Sequence, residues 1–383
     1  MDTKISILSI ESISSLGVDY NAIWSNYLNS NHYITEETFD NTTSLVASLR
    51  EKELQLIKGL RLSNAKYKNL DDTVLLAIIA SRQAISKANW TKNDTIGINI
   101  GSSRGATKLF EEYHKTYLAD GKLNTLASPT TTLGNISSWV AHDLQTKGPN
   151  LSHSITCSTG LHSLLNGIAW LNSGMSSKFM IGASESPLTG FTIAQMKALK
   201  IYGTINQDYP CQALNIEKSK NSMILGTAAS IACIEKGESK NALAHIIGYG
   251  FSTEPLEHNV SISTNADCLQ DSMKMALKNT APSEVDIVIT HTPGTIKGDS
   301  SELNAIDKVF GSNRPQLTCN KWKVGHTFAS SGLLSLQLAV MMLEKQIFIP
   351  VPYLKHKQPN KIKTILINAV GFGGNAVSIL VSK

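Results

Sequence analysis

The stretch "SITCSTGLHSLLNGIAWLNSG", residues 154–174, decides how the rest of the chain is read. It puts one cysteine, Cys157, at the seam between a β-branched stretch and a helical pattern, with Ser, Thr and Gly packed around it. After Gly160 the apolar residues Leu161, Leu164, Leu165, Ile168 and Leu171 recur at helical spacing, so Cys157 falls at or just before a first helical turn. A thiolate there would sit among unpaired backbone N–H groups at the positive end of a helix. That setting lowers a cysteine pKa and supplies donors to a developing oxyanion. Free cysteines are also among the most buried residue types, so the stretch by itself fits a small apolar core residue as well as a nucleophile.

Working outward, strand-like runs alternate with helical ones along the whole chain. "TIGINIG" (95–101), "FMIGAS" (179–184), "MILGTAASIACIE" (223–235), "VDIVITH" (285–291) and "TILINAV" (364–370) read as strands. "DDTVLLAIIASRQAISKANW" (71–90) opens with acidic residues and carries Val74, Leu75, Ile78, Ile79, Arg82 and Ile85 on one side, the pattern of a helix packed on a sheet. The alternation implies an α/β fold. "EKGESKNALA" (235–244) is polar and turn-rich, which places a boundary near residue 240 and divides the chain into 1–240 and 241–383.

With 383 residues, 42% hydrophobic and 17% charged, the chain suits a packed globular protein of one large or two medium domains. Runs such as "LLAIIA" and "LLSLQLAVMML" fall short of the roughly 20 apolar residues of a membrane span or are broken by polar positions. The N-terminus shows no secretion signal, so the expected location is the cytoplasm, away from membranes. Cysteines 157, 211, 233, 268 and 319 form an odd set with no CxxC and no metal-ligand spacing. Reduced thiols and no metal site are expected. A net charge of +5 without basic blocks among aromatics argues against nucleic acid as a partner.

Three patches in the second half have the composition of active-site loops. The strand "VDIVITH" ends at His291 and runs straight into Pro293, Gly294, Thr295 and Gly298, where a histidine is also at home as a turn residue. "TCNKWKVGHTFASSGLLSLQLAVMMLE" places Lys321 and His326 five apart, then Ser330, Ser331 and Gly332 before a helix; a surface loop capping that helix has the same composition. "INAVGFGGNAVSILV" sets Gly371, Gly373 and Gly374 around Phe372, a loop that bends sharply and presents a backbone N–H, or a plain glycine-rich hairpin.

Taken together, "TCSTG", "THTPGT…GD..E", "NK….GH" and "N..GFGG" resemble, in order and spacing, the β-ketoacyl-acyl carrier protein synthases, condensing enzymes of the thiolase-like fold. "SISSLG" (12–17), "KGP" (147–149) and "IIGYG" (246–250) extend the resemblance over nearly the whole chain. It implies a duplicated α/β fold in five layers, α-β-α-β-α. It also implies that Cys157 is acylated, that His291 and His326 are the active-site histidines, and that Lys321 is the lysine preceding the second of them. Asp299 and Glu302 match the acidic pair of the first histidine loop, and Phe372 the gating residue between Gly371 and Gly373. The implied reaction is decarboxylative Claisen condensation of a Cys-bound acyl group with malonyl-acyl carrier protein. The oxyanion is held by the backbone N–H groups of Cys157 and Phe372, and neither metal nor organic cofactor is needed. Acyl carrier protein and a dimer are the implied partners.

Departures from the family pattern are specific. The glutamate usual nine residues after the second histidine is Ser335 here, which leaves Lys321 to lean on Glu302 or to take another orientation. "GEGA" is "GTAA" (226–229), "GHTLGAAG" is "GHTFASSG", and "GFGGTN" is "GFGGNA". These suggest a divergent member, of a polyene or polyketide type of pathway. They also keep a second reading open: a chain-length-factor-like subunit that shapes the pocket of a heterodimer with a ketosynthase. An initiating synthase would carry asparagine at position 326, and a thiolase a second cysteine in the C-terminal glycine loop. Phe191 and Met196 are candidates for the acyl pocket, and Lys58, Arg61, Lys66 and Lys68 for docking the acidic carrier.

Overall fold

A computed structural model of the chain describes residues 4–133, 135–255 and 262–383. Its strands are β1 (Ile5–Ser14), β2 (Thr35–Phe39), β3 (Thr42–Val46), β4 (Ile96–Gly101), β5 (Asn150–Leu151), β6 (Lys178–Glu185), β7 (Ala228–Lys236), β8 (Ala244–Thr253), β9 (Ile287–Ile289), β10 (Gln316–Thr318), β11 (Thr364–Gly371) and β12 (Asn375–Ser382). β2 and β3 form a separate hairpin, and the other ten share one sheet in the order β10-β9-β11-β12-β8-β1-β7-β6-β4-β5.

That order contains one pattern twice. In each half the five strands lie third, second, fourth, fifth, first: β5-β4-β6-β7-β1 and β10-β9-β11-β12-β8. The pairing repeats too. The second strand of each half is parallel to the third and fourth, and the fifth is antiparallel to the fourth and first. The two units join where β1 and β8 pair through Ile5–Ile246, Ser6–His245 and Ile7–Ala244.

Side-chain alternation along the strands shows both faces of each unit to be covered. On β7, Ala228, Ala232 and Ile234 enter the central core, while Ala229, Ile231 and Cys233 face an outer core beneath the Asp72–Lys87 helix. On β11, Ile365, Ile367 and Ala369 point to the same central core, and Leu366 and Val370 point to an outer core with the Asp267–Ala276 and Ile296–Phe310 helices. Between the units lie the Thr159–Ser173 helix and the Ser331–Lys345 helix, here the first and second central helices. The second is buried at every position from Ser331 to Leu343, as a helix that is apolar all round must be. The layers therefore run helix, sheet, helix, sheet, helix. No helix among the described residues is long and apolar enough to cross a membrane.

Candidate active site

Cys157 stands two residues before the first central helix, at the turn that leads into it from β5. The preceding residue, Thr156, has φ +46°, a left-handed conformation that a β-branched side chain adopts only under constraint. The constraint is visible. Thr159 Oγ1 accepts the Ile155 N–H at 2.8 Å and donates to the Thr156 carbonyl at 2.6 Å, and Thr156 Oγ1 donates to the Phe372 carbonyl at 3.3 Å. Gly371 permits that last contact. A Cβ on Gly371 would stand 2.0 Å from Thr156 Oγ1 and 3.2 Å from the Cys157 nitrogen. The GFGG loop is thus pressed against the Cys157 turn, with Gly373 at φ +99° making its bend.

The two central helices begin side by side. A Cβ on Gly160 would meet the Ala329 carbonyl at 2.5 Å, so glycine allows the approach that brings Cys157 to the "GHTFASS" turn. His326 Nε2 lies 3.1 Å from Cys157 Sγ, and its Nδ1 lies 3.0 Å from Ser331 Oγ. The His291 ring centroid is 5.4 Å from that of His326, the rings nearly perpendicular at 85°.

His291 is held through its backbone. Glu302 accepts the N–H of His291 at 2.9 Å and of Thr292 at 2.7 Å, and receives Asn368 Nδ2 at 3.1 Å. Asp299 accepts the N–H of Gly294 at 3.0 Å and of Leu214 at 2.9 Å, and forms a buried ion pair with Lys218 at 2.7 Å. The acidic pair thus braces the histidine loop. Lys321 takes the second of its two expected orientations: its Nζ donates to the His291 carbonyl, and among the described residues it makes no ion pair with Glu302. Ser335, in the place of the missing glutamate, is buried in the second central helix.

Electrostatics correct one expectation. Burial pushes the Cys157 thiol up to about 12, and the Lys321 charge only partly opposes it. Desolvation outweighs the helix terminus, so the resting residue is a thiol. Burial, helped by Lys321, holds both histidines well below their ordinary value. Each ring is neutral and carries a single N–H.

Cys157, His291, His326, Gly371 and Phe372 line one cavity of about 340 Å³, together with Met196, Met223 and Phe328. Met196 lies on this cavity wall. Phe191 does not: it is 58% exposed on the Gly190–Ala198 helix and absent from the cavity wall. Arg61 also departs from its expected role, because its guanidinium is bound to Asp72 and to the carbonyls of Lys68 and Leu70. It clamps the turn between two helices, while Lys58, Lys66 and Lys68 stay exposed. Sequence reasoning missed Ser331 as a partner of His326, Asn368 as a brace of Glu302, and Lys218 as the counter-ion of Asp299. Asn368 is the asparagine of N..GFGG and Ser331 lies in GHTFASSG, but the motifs do not show these contacts, and Lys218 lies in none of them.

Comparison with known proteins agrees with this geometry. Residues 2–239 match the family described as Beta-ketoacyl synthase, N-terminal domain, and residues 243–355 its C-terminal domain. The chain is 25% identical over 412 residues to 3-oxoacyl-[acyl-carrier-protein] synthase 2 of Coxiella burnetii, covering 99% of this chain and 98% of the relative. It is 24% identical over 405 residues to the protein of that name from Staphylococcus aureus, covering 98% and 97%. Among solved structures, the ishigamide ketosynthase/chain length factor superposes with a TM-score of 0.88 at 18% identity over 100% of both chains. A type II polyketide acyl-carrier protein in complex with its ketosynthase superposes at 0.84 and 19% identity, covering 100% and 99%.

Proposed function

The chain belongs to the β-ketoacyl synthase family, and on that premise we propose that it is an acyltransferase that extends a Cys157-bound acyl chain with a two-carbon unit from malonyl-acyl carrier protein. The observation that carries the proposal is the junction of the halves: His326 Nε2 lies 3.1 Å from Cys157 Sγ, with His291 beside it on one cavity.

In the first half-reaction Cys157 sulfur bonds to the acyl carbon, the bond from that carbon to the carrier sulfur breaks, and the thiol proton ends on the departing carrier thiol. In the second, the malonyl C–C bond to the carboxylate breaks and carbon dioxide leaves. The electron pair passes into an enolate whose oxygen meets the N–H donors of His291 and His326. The enolate carbon then attacks the acyl-cysteine, and the sulfur leaves and takes up one proton, giving 3-oxoacyl carrier and free Cys157. Neutral histidines suit this role, because each offers one donor and no charge to be neutralised by the substrate carboxylate.

The same reading treats 1–240 and 241–383 as the two repeats, supported by their shared strand order. It gives the protein an acidic carrier that meets Lys58, Lys66 and Lys68, and a cytoplasmic setting like that of fatty acid and polyketide synthesis. It also gives the protein a dimer. Phe110, Tyr117 and Leu118 are more than half exposed on the Thr107–Asp120 helix, a face that suits a second copy or a related subunit. That face fits a homodimer and the chain-length-factor-like reading alike, whereas the Cys157, His291 and His326 arrangement favours catalysis.

The test is His326→Ala in the purified chain with acyl and malonyl carriers. Cys157 should still be acylated, while carbon dioxide release falls roughly 100-fold or more. Release at the unsubstituted rate would show His326 to be structural, and a chain inert without a co-purified subunit would favour the heterodimer reading.

A further inference from the structure

We propose that Ser331 is a positioning residue that fixes the proton of His326 on Nε2, the nitrogen facing the reacting sulfur. Its consequence for turnover rests on the condensing activity above; its geometry belongs to this chain's own residues.

Ser331 is 2% exposed and opens the second central helix. Its Oγ lies 3.0 Å from His326 Nδ1 and accepts the backbone N–H of Thr327 at 3.2 Å. That amide can only donate, so one acceptor site of the hydroxyl is taken and its own single proton is left to place. The competing acceptor is Thr327 Oγ1, which is farther away at 3.3 Å and has a proton of its own to donate. The Nδ1 lone pair is the nearer acceptor and has no such alternative. A neutral imidazole whose Nδ1 accepts must carry its hydrogen on Nε2.

Nε2 is the ring atom 3.1 Å from Cys157 Sγ. With Nε2 protonated, a donor points at the sulfur and at an enolate oxygen formed beside it. With the proton on Nδ1, a lone pair would face that enolate oxygen, and a stabilising interaction would become a repulsive one. The hydroxyl therefore acts on the decarboxylating half-reaction through the histidine, and it leaves the attack of Cys157 on an acyl thioester largely alone.

The experiment combines two substitutions with a spectroscopic readout. Ser331→Ala should lower carbon dioxide release from malonyl carrier roughly 10- to 100-fold in kcat, with KM little changed and Cys157 acylation within a few-fold of normal. Ser331→Thr, which keeps a hydroxyl, should restore most of the rate. In protein labelled with 15N in histidine, the His326 ring, assigned by its loss in His326→Ala, should show Nε2 protonated and Nδ1 bare. Undiminished decarboxylation in folded Ser331→Ala, or a wild-type ring protonated on Nδ1, overturns the proposal. If Ser331→Ala does not fold, the wild-type ring spectrum decides it. If the wild-type protein neither acylates nor decarboxylates, the condensing reading fails and the ring spectrum still tests the positioning.

Discussion

The two halves of the molecule place equivalent segments at the same spot and use them differently. In each half the segment between the third strand and the central helix enters the site. In the first it is a tight turn that delivers a sulfur, Cys157, two residues before the helix; in the second it is a longer turn that delivers a ring, His326, five residues before it. The fourth strands end in a matching contrast. β6 ends at Glu185, a fully buried carboxyl, and β11 ends at Gly371, where no side chain fits. The helices after the second strands also diverge. Ile296–Phe310 buries seven of its side chains in the chain, and Thr107–Asp120 buries only Thr107. A duplicated scaffold thus supplies position, and chemistry comes from what each copy puts at the shared junction.

The contrast breaks most severely at Gly371. Gly371→Ala sets a methyl 2.0 Å from Thr156 Oγ1. The Cys157 turn or the GFGG loop must then shift, at an expected cost of about 1–3 kcal/mol in urea unfolding together with, on the proposed function, a slower acylation of Cys157. Unaltered stability and acylation would mean that the two loops are not pressed together.

Glu185 gives the next effect. Its Oε1 accepts the N–H of Ser103 in its own half and of Ala329 in the other at 3.4 Å, its Oε2 has no partner among the described residues, and burial raises its pKa to about 8. The folded protein therefore holds a proton that the unfolded chain, with an ordinary carboxyl near 4.5, releases. This contribution to stability is full below about pH 4.5 and is lost as pH rises through about 8. In Glu185→Gln that decline should disappear from the stability profile measured between those limits. An identical slope in both proteins would show that the carboxyl does not titrate with folding.

The smallest effect concerns the Thr107–Asp120 helix, whose apolar face carries exposed side chains. Phe110→Ser and Leu118→Ser, at positions 63% and 71% exposed, should change the intrinsic stability of the subunit by no more than about 0.5 kcal/mol. Both should shift the assembly toward monomer in analytical ultracentrifugation. An unchanged sedimentation profile would place the interface elsewhere.

Much of this was legible in the residues themselves. Alternating apolar runs set the strands, and the burial of β7 and β11 on both faces follows from their near-continuous apolar sequence. Cys157, His291, His326 and Phe372 carry motif signals because chemistry fixes their neighbours. What was not legible depends on contacts across the chain. Arg61 read as a free cation until the fold brought Asp72 to it, and Lys321 proves to donate to a backbone carbonyl, which no motif announces. Phe191 sits in the pocket-lining stretch but on the outer side of its helix. The Cys157 thiol sits at a helix start, as read, yet desolvation outweighs the helix field, and only coordinates reveal how deep it lies.

That depth shapes the most direct measurement. Cys157 alone among the five cysteines lines the cavity, and the others are buried away from it. Intact-mass spectrometry after incubation with an acyl carrier, followed by peptide mapping, should show one acyl group added to the protein and located on Cys157. It should show none in Cys157→Ala. An unmodified protein across a panel of acyl carriers, or an acyl group carried by Cys211, Cys233, Cys268 or Cys319, would contradict covalent catalysis at the junction of the two halves.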